Sequence, residues 1–348
     1  MKQPLKIAVM GTGYWAQFQI AAWQAIGCEV VAVWNRTRRR AEETAARFGI
    51  PAVYDTPEAL LAAHGYDLVD IIADAEAHEP LVMLAAAAGK DVICQKPMAL
   101  DTASCARMVE ACREAGVWFA IHENFRYQPQ FQTLKQQLAQ ADLGRVLHAH
   151  IQMKSPDRDI IAKQPALSRM EHMALRDMGP HMFDVVRFLF GEAEDVLAVP
   201  VSSYPDIPVD DTAVALLRMQ AGHPVLCTLA HRFMYKAFIQ CERGSVTLDD
   251  RNDLLIQRLG SGDALSIPYQ EAERLPYIPE DDWRIHGGHV FMAIPACLQA
   301  LRDAYAARTP AETSGEDNLK TMQVVFAAMH SVQSRQPAAV FGGEVAQR

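Results

Sequence analysis

With 348 residues, half of them hydrophobic and 22% charged, the chain is long enough for two separately cored domains and has the composition of a globular rather than a disordered protein. A formal charge of -9 at pH 7 argues against nucleic acid or an anionic membrane as partner, since both reward a basic face, and leaves small solutes. The seven cysteines are odd in number, scattered and without a Cys-x-x-Cys pair, so they read as reduced core thiols rather than a disulfide frame or a metal cluster.

The amino terminus enters an apolar strand at Leu5 with no basic region and hydrophobic run before it. No stretch approaches the roughly 20 apolar residues of a membrane helix, so a cytoplasmic protein is expected. Leu5 to Val9 is followed by Gly11-Thr12-Gly13-Tyr14-Trp15-Ala16 and then by helical spacing at Phe18, Ile20, Ala21 and Trp23. Strand, tight turn and helix in that order suit a dinucleotide: Gly11 makes the turn, Gly13 lets backbone amides approach a pyrophosphate, and Ala16 keeps the helix close to the strand. A tight turn without a ligand is the plainer alternative. The next strand, Glu29 to Trp34, ends at Asn35-Arg36-Thr37-Arg38-Arg39-Arg40, where an acid usually holds the adenosine ribose. Asn35 has no carboxylate, while Arg36 and Arg38 suit a 2′-phosphate, so NADP is expected over NAD.

The alternation continues with a helix to Phe48, one opening at Thr56-Pro57, a strand at 68–73, a helix at 81–88, a strand at 92–94, a helix at 101–115 and a strand at 117–121. Alternating strands and helices imply a parallel sheet whose strand ends share one edge, so Gly11, Asn35, Ala73, Asp74, Gln95 and Lys96 should face one cofactor cleft. His78 and Asn124 are further cofactor candidates. Lys96, stiffened by Pro97, can hold the substrate oxygen from which a proton leaves, although a surface lysine before a turn has the same spacing. The predicted domains are 1–124, binding dinucleotide, and 125–348, binding substrate and other subunits.

In the second half, Arg176-Asp177-Met178-Gly179-Pro180-His181-Met182-Phe183-Asp184 combines an acid, an imidazole and a helix start. Asp177 is predicted to cap a helix running to about Phe190, with Pro180 in its first turn and Gly191 as its stop. The acid then lies four residues before His181, and the positive helix end keeps the ring neutral and able to accept a proton. A capping acid and a packed histidine would look the same. Before this come a helix at 131–138 and a strand at 146–153 carrying His148 and His150, a pair without a visible third metal ligand. Between them and the centre, the polar loop 154–169 offers Arg158, Lys163 and Arg169 to an acidic or phosphorylated substrate. Strands predicted at 195–201, 212–219, 225–231, 237–241 and 245–248 form an antiparallel meander. Apolar residues on both faces of 225–231 imply a covering partner, hence a homodimer or homotetramer. Trp283 and His286 are candidates for the substrate pocket, ahead of helices at 290–307 and 318–334.

Taken together, Gly11 to Ala16, Cys94-Gln95-Lys96-Pro97, Glu123-Asn124-Phe125-Arg126, Asp177-Met178-Gly179-Pro180-His181 with Asp184, and Glu312 to Lys320 resemble the glucose-fructose oxidoreductase and inositol dehydrogenase (Gfo/Idh/MocA) family over nearly the whole chain. The resemblance implies an N-terminal Rossmann domain, a C-terminal α/β domain with a large, mostly antiparallel sheet, and a nicotinamide cofactor. It also implies that Lys96, Asp177 and His181 act together on a sugar or polyol hydroxyl, with Asn124 and Arg126 binding cofactor or substrate. Gln95 stands where the family's turn carries glutamate, and Asp74 where small or hydroxyl residues are common. The leading expectation is an NAD(P)-dependent oxidoreductase moving a hydride between the cofactor and a sugar, polyol or related hydroxy compound. The alternatives are a redox-neutral epimerase or eliminase that recycles bound cofactor, and a catalytically silent nucleotide-binding regulator.

Overall fold

The computed structural model describes residues 4–154, 161–204, 207, 209–230, 236–262 and 264–341. They fall into two compact units. The first takes the described residues up to Asn124 together with Leu275–Pro279 and Ala293–Met322, and the second takes the remainder.

The first unit alternates β1 (Lys6–Met10), α1 (Ala16–Ala25), β2 (Glu29–Trp34), α2 (Arg38–Phe48), β3 (Ala52–Tyr54), α3 (Pro57–Ala62), β4 (Leu68–Ile71), α4 (Ala75–Ala87), β5 (Val92–Gln95), α5 (Thr102–Glu114) and β6 (Phe119–His122). Its six strands are parallel in the order β3-β2-β1-β4-β5-β6, the doubly wound arrangement expected from the alternation. Ile7, Ala8, Val9 and Met10 on β1, like Leu68, Val69 and Ile71 on β4, are wholly buried, as strands covered on both faces must be. The helix predicted from 81 starts six residues earlier, at Ala75, with Pro80 inside it. The buried face formed by His78, Leu81, Val82, Ala85 and Ala86 holds this helix together across the proline's missing N–H.

Segment 305–315 belongs to this unit and closes its β6 edge. Ile121 N–H donates to Thr313 O at 2.8 Å, Thr313 Oγ1 donates to Ile121 O at 2.8 Å, and Ala120 bridges Ser314. Trp118 Nε1 donates to Thr309 O, and Tyr305 Oη donates to Asp67 O. Gly315 sits so close to the Phe119 ring that a Cβ would come within 2.3 Å of it.

The second unit holds β7 (Val146–Lys154), β8 (Ala193–Val201), β9 (Thr212–Met219), β10 (Pro224–Ala230), β11 (Lys236–Cys241), β12 (Gly244–Leu248), β13 (Leu254–Arg258), β14 (Ala264–Ile267) and β15 (Ala338–Ala339). Its sheet runs β14-β13-β12-β11-β7-β10-β9-β8-β15. The predicted plain meander is corrected here, because β7 lies between β10 and β11, parallel to the first and antiparallel to the second. Period-two hydrophobicity fixes which side of a strand is buried but not which strand lies beside it. The helices are α6 (Pro129–Gln140), α7 (Gly179–Phe190), α8 (Glu280–His286), α9 (Gly288–Ala307) and α10 (Gly315–Ser334), the last two contributing residues to both units.

One face of this sheet is core: Ala149, Ile151 and Met153, Ala213, Ala215, Leu217 and Met219, and Val225, Cys227 and Leu229 are buried. On the other face, paired positions place Phe238, His150, Leu226, Leu216 and Leu197 in one row across five strands. Phe238 and Leu216 in that row, with Val199 and Val201 nearby, are more than a third exposed. Among the described residues no helix is long and apolar enough to cross a membrane.

Candidate active site

In the first unit, a cleft of about 520 Å³ opens at the carboxyl ends of β1, β2 and β4 and is lined by Gly11, Thr12, Gly13, Asn35, Arg36, Ala73 and Asp74, all predicted from sequence. Gly11 has φ +105°, and a Cβ there would meet Ile72 O at 2.2 Å, so no other residue fits the crossing. At Gly13 a Cβ would meet nothing within 4 Å, which leaves the backbone open to a ligand. Asn35 ties the loop to β2: its Oδ1 accepts from Thr12 N–H at 3.1 Å and its Nδ2 donates to Thr37 O. No side chain caps α1, and the buried Thr12 Oγ1 has no hydrogen-bond partner among the described residues. An uncapped helix start, an orphaned hydroxyl and an open glycine fit a pyrophosphate.

Arg36 and Arg40 line the cleft without an ion-pair partner among the described residues, whereas Arg38 pairs with Glu42 and Asp55. Arg40 belongs to the arginine run read from the sequence but was not named with Arg36 and Arg38 as a phosphate ligand. Tyr14 and Trp15 pack edge-on against Phe18 and do not line the cleft. His78 lies beneath it, with Nδ1 2.9 Å from Pro97 O and Nε2 3.0 Å from Ala73 O, and burial lowers its pKa. It ties the loop after β4 to the turn after β5. Asn124 is buried at the end of the unit and is not among the lining residues.

Lys96 follows β5, the strand beside β4, so it stands next to the Ile72–Asp74 edge of the cleft. Gln95 holds the turn: its Oε1 accepts from Lys96 N–H at 2.9 Å, and its Nε2 lies 2.7 Å from Gln19 Oε1 and 3.2 Å from His122 Nδ1. Gln19 Nε2 in turn lies 2.9 and 2.7 Å from the carboxylate oxygens of Asp70, which also accepts from Trp23 Nε1 at 2.7 Å. Burial pushes the Asp70 carboxyl up to about 7, against the pull of the Trp23 and Gln19 donors. Neither Gln19 nor Asp70 was singled out from sequence, because a glutamine on a helix and an acid in a strand carry no local signature.

In the second unit, Asp177 does not cap a helix as predicted. It belongs to a π turn, Ala174–Met178, that runs directly into α7, whose flanking residue Met178 already has helical dihedrals. His181 is buried in the first turn of α7 and stacks on Phe125, with ring centroids 3.6 Å apart and planes 6° from parallel. Arg126, expected at the substrate, donates from Nε and Nη2 to the two oxygens of the buried Asp184 at 2.8 and 2.5 Å. The role this geometry gives it is a buried clamp between the residues after β6 and α7.

A second cluster surrounds His286. Burial lowers its pKa to about 4, opposed by Asp282 and Asp177 and assisted by Lys163, so the ring is neutral at pH 7. Lys163 is ion-paired with Asp282. Trp283 stacks on Phe291 at 6.1 Å, and its ring occupies the space a Cβ of residue 288 would need, which makes it a packing residue. Arg169 is exposed, and Arg158 lies outside the described residues.

Comparison with known proteins accounts for both units. Residues 5–123 match the model of an oxidoreductase family with an NAD-binding Rossmann fold, and 131–247 match the GFO/IDH/MocA C-terminal domain. A D-apiose dehydrogenase of Paraburkholderia graminis is 34% identical over 337 residues, covering 94% of this chain and 88% of that one. The chain belongs to the Gfo/Idh/MocA oxidoreductases. As in that family, an NAD(P)-binding Rossmann sheet is followed by a large mixed sheet carrying helices. An inositol 2-dehydrogenase of Streptomyces avermitilis is 28% identical over 270 residues, 75% of this chain and 77% of that one. A crystal structure of an oxidoreductase from Agrobacterium radiobacter, in complex with NAD+, L-tartaric acid and magnesium, superposes with a TM-score of 0.90 at 27% identity, covering 97% of this chain and 98% of the other.

Proposed function

We propose that this oxidoreductase is an NAD(P)-dependent dehydrogenase of a sugar, polyol or related hydroxy compound. The observation that carries the reading is Lys96 at the strand end beside a cleft whose open Gly13 and Thr12 Oγ1, without a partner among the described residues, suit a pyrophosphate. Gly11, Thr12 and Gly13 would hold the pyrophosphate, and Asn35, Arg36 and Arg40 the adenosine end. A nicotinamide held there would supply the hydride acceptor or donor for the substrate carbinol. His181 accepts the hydroxyl proton, Lys96 stabilises the negative charge that grows on that oxygen, and Asp177 orients the imidazole. The neutral His286 offers the substrate a further hydrogen bond. Because Lys163 is already paired with Asp282, the reading favours a neutral polyol over an acidic or phosphorylated one. Arg36 and Arg40 favour NADP over NAD.

The named activities of the two dehydrogenase relatives support the substrate class. The test is a panel of pentoses, hexoses, inositols and sugar acids, D-apiose and myo-inositol included, assayed by absorbance at 340 nm with both cofactors. Turnover of sugar acids alone, or of none of these compounds, refutes the assignment. We further propose that a second copy of the chain covers the apolar row on the outer sheet face and that the dimer or tetramer is cytoplasmic. A monomeric mass by light scattering at micromolar concentration refutes the oligomer.

A further inference from the structure

The proposed mechanism leaves one feature of the first unit unused, a line of polar side chains that starts at the buried Asp70 and ends, through the partly buried Gln95, at the backbone of Lys96. We propose that Asp70 is a positioning residue for Lys96, acting through the amides of Gln19 and Gln95, and that this line has room for a single carboxylate. The assignment rests on the role given above to Lys96.

Each link dictates the next. Both Asp70 oxygens accept, from Gln19 Nε2 at 2.9 and 2.7 Å and from Trp23 Nε1 at 2.7 Å, so Gln19 turns its nitrogen inward and its Oε1 outward. That outward oxygen can only accept, so Gln95 must present Nε2 to it, at 2.7 Å. The second amide hydrogen of Gln95 is directed at His122 Nδ1, 3.2 Å away, so Gln95 Oε1 is left facing the N–H of Lys96 at 2.9 Å. Trp23 Nε1, 2.7 Å from Asp70, holds the origin of the line in place. Four elements, α1, β4, β5 and β6, thereby fix the backbone from which the Lys96 side chain departs. Where the line is buried, at Asp70, Gln19 and Trp23, a reversed amide sets donor against donor or acceptor against acceptor.

This polarity explains Gln95. With Asp70 in place, a glutamate at 95 would set a carboxylate oxygen against Gln19 Oε1 at the 2.7 Å now spanned by a donor and an acceptor. The acid missing beside the lysine has not been lost but stands two side chains away, and an amide at 95 is the condition for keeping it there. Asparagine at 70 would reverse the line. Its Nδ2 would donate to Gln19 Oε1, Gln19 Nε2 would donate to residue 95, and a glutamate there would accept from both Gln19 and Lys96 N–H.

The test is a double-mutant cycle over Asp70→Asn and Gln95→Glu, read as the thermal midpoint without ligands and as kcat and KM with whichever of D-apiose or myo-inositol the enzyme turns over. Each single variant should lower kcat by about 10- to 100-fold, the scale on which small misplacements of a catalytic group act, with the cofactor KM changed by less than about twofold. Asp70→Asn should then raise both kcat and the midpoint when introduced into Gln95→Glu, the midpoint by on the order of 2–4 °C. An Asp70→Asn variant with parental kcat overturns the positioning role. A Gln95→Glu variant faster than the parent, or a double variant no better than the worse single one, overturns the shared-carboxylate line. Should Asp70→Asn alone fail to fold, a folded double variant still reports the coupling. The midpoint arm needs no substrate, so coupling between positions 70 and 95 without polyol turnover refutes the proposed function alone, while turnover without coupling refutes this inference alone.

Discussion

Protonation of His286 should be one of the events that limits stability on the acid side. Burial lowers its pKa from 6.5 to about 4, and the ring is boxed in by Asp282, Lys163, Asp177 and Phe291. The folded value lies below the unfolded one, so the folded state binds the proton less well. The corresponding stability is fully present above pH 6.5 and is lost as pH falls toward 4. A difference of about 2.5 pH units at about 1.36 kcal/mol each sets a limit of about 3 kcal/mol, of which about 2 kcal/mol is lost by pH 5. His78, His150 and His223 are also lowered by burial, so the parent curve alone cannot isolate one ring. The assay is therefore urea unfolding at pH 7.5, 6, 5 and 4 for the parent and for His286→Gln, whose advantage over the parent should grow by about 2 kcal/mol between pH 7.5 and 5. Parallel curves, or a His286 ring resonance that titrates near 6.5, would refute the argument.

Replacing Asp184 by Ala takes the carboxylate from the buried Arg126 guanidinium and should cost about 3–5 kcal/mol in urea unfolding. His181→Ala should lower kcat by about 10²- to 10⁴-fold and leave cofactor affinity, read by nucleotide fluorescence, within a few-fold of the parent. Equal losses would mean that the ring serves binding rather than proton transfer. Arg36→Ala and Arg40→Ala should each raise the KM for NADP several-fold more than that for NAD. An identical effect on the two would remove the basis for the 2′-phosphate assignment.

Much of the fold was legible because its signals are local. The strand Thr212–Met219 was predicted to the residue, since alternation along a sheet with one buried face leaves little freedom, and the Gly11–Gly13 loop declared itself by chain order alone. The failures share a cause, which is contact at long sequence separation. Lys163 reads as a free cation until Asp282, 119 residues later, neutralises it. Arg126 looks like a ligand-binding residue until Asp184 fills its fork. Asp177 ahead of Pro180 suggested a cap, but the burial of Ala174, Leu175 and Met178 accompanies a π turn that continues into α7. The helix predicted from 81 begins at Ala75, because its buried face outweighs the N–H that Pro80 lacks. Of the candidate site, the residues touching the cleft were readable from motif position. The supports behind them, Asp70 and Gln19, were not, because they act through a network rather than a pattern.

The late strap across β6 has a consequence for how the chain comes into being. Because Thr309, Thr313 and Gly315 close a strand that ends at His122, the nucleotide-binding layer keeps a raw border until nearly two hundred further residues have left the ribosome. The opening 124 residues are thus not a portable cassette. Transplanted without the returning segment, they would carry an unpaired edge into every new setting, and so the two ends of this polypeptide are inherited as one piece.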